Sequence, residues 1–274
     1  MPGRLTVLAV AAAVTMLAGA ALQVSGGPTN PAGAGGDARG AGGDERGAAS
    51  GQVLTVVAAA SLGEAFEVLA DGFESAHPGL TVRLSLGPSQ ALAAQVAAGA
   101  PADVLATADP ATMAIAVEAW PGTTPVVFAR NRVALAVAPG ADVDSLADLT
   151  RVPFALCRPE VPCGAAGERV LAAAGVTADP VTFSTDVAAV LTQVVWGQVD
   201  AGLVYASDVR PTAPVVQRGR VRAVAVPDDL NSVSTYPVAA LPDATVPALA
   251  RAFVDHVLSD DGARVLADAG FMPP

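Results

Sequence analysis

From residue 52 onward the chain alternates between two hydrophobic periods. Residues 53–58 form a nearly continuous apolar run, as in a strand buried on both faces. Residues 61–76 carry apolar positions at helical spacing and stop at His77-Pro78-Gly79. Residues 80–86 alternate strictly, with Thr81, Arg83 and Ser85 set between Leu80, Val82, Leu84 and Leu86, which predicts a strand. A helix over 89–98 closed by Gly99, a buried strand over 102–106 and a helix over 110–119 follow. A second α/β unit comprises strand 154–156, helix 164–174, short strand 181–183, helix 187–196 and strand 202–205. Strand-like runs at 132–138 and 221–226 flank it, and the chain ends in an apolar stretch at 236–241 and helices at 246–258 and 259–269. Strands alternating with helices predict an α/β fold with mainly parallel strands. The simplest arrangement has two lobes joined by two crossovers, the second inserted into the first. Lobe I then takes 52–131 plus 237–274, and lobe II takes 132–236. Small ligands bind in clefts of this kind. No internal repeat or low-complexity stretch occurs after residue 51.

The first 51 residues have a different character. Arg4 precedes an apolar run from Leu5 to Leu22, and Ala18-Gly19-Ala20 offers the small-x-small pattern of a signal-peptidase site. The run approaches the length of a membrane span, so residues 1–24 are expected to be either a cleaved signal peptide or an uncleaved anchor. Leu17-Ala18-Gly19-Ala20 also looks like a bacterial lipobox whose cysteine is replaced by Ala20, leaving no thiol for a lipid. Residues 25–51, rich in Gly, Ala, Ser and Pro with scattered charges, have no apolar period and are expected to be a disordered tether. The folded part is therefore expected outside the cytoplasm, in the periplasm or at the cell surface.

Composition narrows the function further. Hydrophobic residues make up 52% of the chain but aromatics only 4%, so the core is expected to be Ala, Val and Leu packing. A net charge of −11 argues against nucleic acid and anionic membrane surfaces as partners. Two cysteines, Cys157 and Cys163, lie six positions apart, and in an exported protein a disulfide is the default. With only two histidines, His77 and His256, no metal-ligand spacing exists.

Four segments share one design, an extended run turning through small residues into a helix. They are Ala58-Ala59-Ala60-Ser61-Leu62, Gly87-Pro88-Ser89-Gln90, Val161-Pro162-Cys163-Gly164 and Ser184-Thr185-Asp186-Val187. A helix start leaves backbone N–H groups unpaired and carries partial positive charge, so it holds an oxyanion without a cationic side chain. Four starts around one cleft would form a site for a small dianion. Singly, Ser61 and Ser89 read as helix N-caps, as does Asp186. Arg130, Arg132 and Arg158 read as surface residues.

The surrounding motifs carry more information. Together with Ala58-Ala59-Ala60-Ser61-Leu62, the unit Gly99-Ala100-Pro101-Ala102-Asp103-Val104-Leu105-Ala106-Thr107-Ala108-Asp109 resembles the molybdate-binding proteins of ABC importers. Val161-Pro162-Cys163-Gly164, Asp186-Val187, Leu203-Val204-Tyr205-Ala206-Ser207-Asp208, Tyr236-Pro237-Val238 and Gly270-Phe271 extend the likeness from about residue 53 to 271. The resemblance implies the two-lobed type II periplasmic-binding-protein fold, with two hinge strands and a ligand cleft between the lobes. It implies ligand contacts from the hydroxyls of Ser61 and Ser89, the backbone N–H groups of Cys163 and Val187, and the Tyr205 phenol. The family commonly has alanine at the position of Cys163. A thiolate at that helix start would repel a dianion, and a bridge to Cys157 removes it.

The expected function is thus capture of molybdate, and tungstate too, for delivery to an ABC permease by a monomeric, non-enzymatic protein. No cofactor is expected, and molybdenum enters only as the bound oxyanion. Lobe closure on the ligand is the expected mechanism. A site made of donors alone favours a fully deprotonated oxyanion, because an O–H needs an acceptor. A receptor for another oxyanion such as sulfate is the first alternative. A thiol or serine hydrolase using Cys163 or Ser61 is the second, and it would need His77 or His256 as a base.

Overall fold

The computed structural model describes residues 51–274. The predicted signal segment and all of the tether except Gly51 lie outside the described residues. In chain order the elements are β1 (Gln52–Ala59), a 3-10 turn (Ala60–Leu62), α1 (Gly63–Ala76), β2 (Leu80–Gly87), α2 (Ser89–Ala97), β3 (Val104–Ala106), α3 (Pro110–Ala119) and β4 (Val126–Val137). After a 3-10 turn at Leu146–Thr150 come β5 (Phe154–Cys157), α4 (Pro162–Ala173), β6 (Thr182–Ser184), α5 (Val187–Val195) and β7 (Ala201–Tyr205). A 3-10 turn at Ala206–Val209, α6 (Pro214–Gln217), β8 (Arg222–Ala225), β9 (Val233–Ala240), α7 (Pro247–Leu258) and α8 (Asp260–Asp268) complete the chain.

The strands run in the order β2-β1-β3-β9-β4-β7-β5-β6, with β8 also paired to β4. In the first lobe β1 lies between β2 and β3, parallel to both, with Val57 opposite Ser85 on one side and Leu105 on the other. In the second lobe β5 lies between β6 and β7, again parallel to both. Each lobe thus winds β-α-β-α-β with its first strand in the middle, a repeat of topology that has no counterpart in the sequence. The loops leaving the C-terminal ends of these strands lead into helix starts, at the place where open α/β sheets bind ligands.

β4 and β9 connect the lobes. Residues Val126 to Arg132 of β4 pair antiparallel with β9, and Val133 to Val137 pair antiparallel with β7 and β8. Sequence periodicity predicts only the second half of β4, because Arg130, Asn131 and Arg132 interrupt the apolar pattern ahead of it. The expectation of mainly parallel strands holds within each lobe's centre. It fails at β4 and β9, which pass between lobes and pair antiparallel with every neighbour.

The cores differ. In the first lobe Phe66, Phe73, Phe128, Phe253, Phe271 and Tyr236 are buried together, with Phe73–Phe253 and Tyr236–Phe271 centroids each 5.3 Å apart in edge-on geometry. The second lobe packs Val133, Leu135, Val137, Leu149, Leu156, Val170 and Leu203 around Phe154. In the first lobe the Asp103 carboxylate is buried but satisfied. It accepts from the N–H groups of Thr55 at 2.7 Å and Thr245 at 2.6 Å and from the Thr245 hydroxyl at 2.9 Å, pinning β3 to β1 and to the start of α7. Among the described residues no helix is long and apolar enough to cross a membrane.

Candidate functional site

Four loops converge from the two lobes. In the first lobe Pro88, extended at φ −61° and ψ 120°, turns β2 into α2 and makes Ser89 the first helical residue. The serine does not cap its helix. Its buried Oγ accepts instead from the N–H of Ala108, just after β3, at 3.1 Å. Ser61 also departs from the capping expectation. It lies inside the 3-10 turn ahead of α1, no side chain caps that turn, and its Oγ is 3.1 Å from the Tyr236 hydroxyl. Neither hydroxyl is spent on its own helix.

The second lobe works through its backbone. Val161 precedes α4 and Pro162 occupies its first turn, so the helix begins two residues earlier than its apolar period suggests. Cys163 therefore sits within the first turn, where N–H groups have no acceptor inside the helix. A Cys157–Cys163 disulfide with a Cα–Cα distance of 5.7 Å ties this turn to the end of β5. Gly164 makes the approach sterically feasible, since a Cβ there would lie 1.8 Å from the Arg158 carbonyl oxygen. At the fourth loop Asp186 caps α5 as expected, its Oδ1 accepting from the Ala189 N–H at 2.8 Å. The carboxylate is thereby engaged by its own helix, and the Val187 N–H lies in the first turn.

Ser61, Ser89, Cys163, Val187 and Tyr205, the five residues proposed from the sequence, line one cavity. Ala59, Pro88, Ala108, Pro162, Thr185 and Asp186 are among its other walls. The space is small, with room for one compact group. Arg130, Arg132 and Arg158 do not line it. Arg130 and Arg158 are exposed, and Arg132 pairs with Asp228.

Tyr205 ends β7 and is buried. Burial pushes its phenol far above the ordinary range, and the Ser234 hydroxyl, 3.3 Å away, offsets this only in part. It therefore stays protonated and able to donate. Its backbone N–H donates to the Asp208 carboxylate at 2.9 Å. Burial raises Asp208 to about 7, against the opposing effects of that N–H and of Arg210. Arg210 in turn pairs with Glu64 on α1 and donates to the carbonyl oxygens of Asp268 and Ser207, so it links the two lobes.

The hydrolase alternative finds no machinery here. Both cysteines are consumed in the bridge. His77 binds the Phe73 carbonyl through Nδ1 at 2.8 Å, and His256 stacks near the same phenylalanine at 5.6 Å. Neither faces the cavity. Sequence reasoning overlooked Tyr236, Asn131, Ser234 and Asp208. Tyr236-Pro237-Val238 and Tyr205-Ala206-Ser207-Asp208 had marked two of them as motif positions, but nothing local shows that a hinge-strand phenol reaches Ser61.

The chain matches the family described as bacterial extracellular solute-binding protein over residues 54–272. It is 38% identical over 226 residues to molybdate-binding protein ModA of Mycobacterium tuberculosis, covering 81% of this chain and 85% of that protein. Among solved structures, the periplasmic molybdate-binding protein of Azotobacter vinelandii superposes with a TM-score of 0.69 at 21% identity, covering 81% of this chain and 99% of that one. The sulfate-binding protein SubI of M. tuberculosis also superposes with a TM-score of 0.69, at 19% identity, covering 81% and 87%. These two structures share the two-lobed fold of this chain. A match spanning nearly the whole described chain, with a relative of this identity, places the protein in the bacterial extracellular solute-binding family, whose members bind and carry solutes and are not enzymes.

Proposed function

We propose that the cleft captures molybdate, takes tungstate by the same contacts, and presents the ion to an ABC permease outside the cytoplasm. The observation that carries this reading is that Ser61, Ser89, Tyr205 and the helix-start residues Cys163 and Val187 all line one cavity with no arginine in its wall. A tetrahedral dianion offers acceptors all round, and helix-start dipoles stabilise it at short range despite the chain's negative charge. The 38% identity to a molybdate-binding protein favours molybdate among such ions.

The donors come from both lobes, Ser61 and Ser89 from one and Cys163, Val187 and Tyr205 from the other. A bound ion completes its shell only when the lobes are closed, so its differential contacts favour the closed form. That form is what a permease would distinguish from the empty protein. No resident cofactor takes part, because molybdenum is cargo held within its oxyanion.

Calorimetric titration of the purified protein with molybdate, tungstate, sulfate and phosphate tests the reading. Molybdate and tungstate are expected to bind at least tenfold more tightly than sulfate, and phosphate most weakly. Absence of molybdate heat, or sulfate binding of equal strength, would overturn it. Sulfate binding alone would point to the sulfate alternative, which the same donors also suit.

A further inference from the structure

Behind the cleft, where β4 and β9 cross between the lobes, lies a buried polar chain. Asn131 on β4 and Ser234 on β9 are direct cross-strand partners, and both are buried. Buried polar groups at a crossing of two strands need partners, and Ser234 finds its partner in the cavity wall, at Tyr205.

Asn131 has its amide oriented by its neighbours. Its Oδ1 accepts from the Arg132 N–H at 2.9 Å, and its Nδ2 donates to Ser207 Oγ at 2.8 Å. Asn131 also lowers the Tyr236 phenol slightly against the large rise that burial causes. The Tyr236 hydroxyl lies 3.1 Å from Ser61 Oγ, a pair in which either oxygen can donate. Ser234 acts on the other lobe's donor, its hydroxyl donating to Tyr205 Oη at 3.3 Å. The Tyr205 and Tyr236 rings meet edge-on at 5.8 Å.

A hydroxyl whose oxygen already accepts is left with its proton to offer. Chains of such bonds also polarise one another. Ser89 follows the same rule through the Ala108 N–H.

We propose that Tyr236 donates to Ser61 as Ser234 does to Tyr205, and that Asn131, Ser234 and Tyr236 are positioning residues. They hold Ser61 and Tyr205 as donors toward the cleft, so that the hinge crossing sets the direction of hydrogen bonding in both lobes. The proposal rests on the oxyanion reading of the cleft. It adds three residues that line no part of the cavity and act only through two that do. Without the Tyr236 hydroxyl, Ser61 would be free to turn a lone pair inward, which repels a fully deprotonated ion and accepts the proton of a hydrogen oxyanion. Loss of the Ser234 hydroxyl would release Tyr205 in the same way.

The test titrates the wild-type protein, Tyr236→Phe, Ser234→Ala and Ser234→Thr with molybdate, sulfate and inorganic phosphate near neutral pH, where phosphate retains a proton. Tyr236→Phe keeps the ring packing against Phe128, Tyr205 and Phe271. Molybdate affinity is expected to fall about tenfold in Tyr236→Phe and in Ser234→Ala. Phosphate affinity should hold or rise, and Ser234→Thr should restore the wild-type ratio. Equal losses for molybdate and phosphate would assign these residues to packing alone and overturn the proposal. Unchanged molybdate affinity in both variants would do the same. If Tyr236→Phe does not fold, the Ser234→Ala and Ser234→Thr pair decides. If the wild-type protein binds sulfate and not molybdate, the molybdate reading fails while the positioning ratio is read on sulfate against phosphate. A wild-type protein that binds none of the three overturns both.

Discussion

The two lobes share one winding but equip their helix starts differently. In the first, Ser61 and Ser89 line the cleft with hydroxyl side chains, and the glycines beside them are pressed by no backbone. A Cβ added at Gly63 would meet only the tip of Leu86, at 3.1 Å. A Cβ at Gly87 would meet only Leu92, at 3.7 Å. In the second, the Cys163 and Val187 loops offer backbone N–H groups, and their geometry is tightly held. The bridge, the Asp186 cap and the pressed contact at Gly164 all serve that rigidity. A side-chain donor can be oriented by a partner elsewhere, whereas a backbone donor is aimed only by holding the chain itself. The contrast makes side-chain changes costly in the first lobe and backbone changes costly in the second.

Gly164→Ala should show the largest effect, since its Cβ would drive the α4 start off the Arg158 carbonyl. We expect a loss of about 3 kcal/mol or more in urea unfolding, with oxyanion binding weakened as the Cys163 N–H shifts. Gly87→Ala in the first lobe should cost under about 1 kcal/mol. Similar costs at both sites would break the comparison.

Ser89→Ala comes next. Affinity measured by calorimetry should drop about tenfold to a hundredfold, and stability should fall by about 1 kcal/mol because the buried Ala108 N–H loses its acceptor. Val187→Ala leaves the donor in place, so affinity should change less than about threefold even though a buried side chain is trimmed. Replacing both Cys157 and Cys163 by alanine should remove about 2 kcal/mol of stability for so short a loop. Its effect on affinity should stay below that of Ser89→Ala, because the backbone donor survives.

A last prediction concerns Asp208, which has only a loose counterpart in Asp109, the cap of α3. With its folded pKa raised to about 7, the folded protein binds more protons than the unfolded chain between an ordinary carboxylate pKa of about 4 and that value. Its contribution to stability is full below about pH 4 and is lost as pH rises through about 7. Melting temperatures recorded across this range should show Asp208→Asn flattening that part of the profile. An unchanged profile would remove Asp208 as its source.

Much of the fold was legible. The strands and helices of each lobe follow from apolar periodicity, and the four helix starts stand out as small-residue turns after extended runs. The motifs around Ser89 and Tyr205 then drew the five cavity residues together. What escaped notice lies at the crossing of the lobes. Arg130, Asn131 and Arg132 read as an end to the apolar pattern, yet the strand runs straight through them. Ser61 and Ser89 looked like caps because capping is the local use of a serine at a helix start. Their actual partners, Tyr236 and Ala108, lie 175 and 19 residues away.

By itself the sequence determined most of the strands and helices, where small-residue helix starts occur, and that Cys157 and Cys163 could pair. These depend on period and spacing, which are local properties of a chain. Only the tertiary structure brought Ser61, Ser89, Cys163, Val187 and Tyr205 to one small cavity and gave Ser61 and Ser89 their distant partners. The direction of a hydroxyl is set by whatever occupies its lone pairs, and for Ser61 and Tyr205 the partners stand on β9, which runs between the lobes.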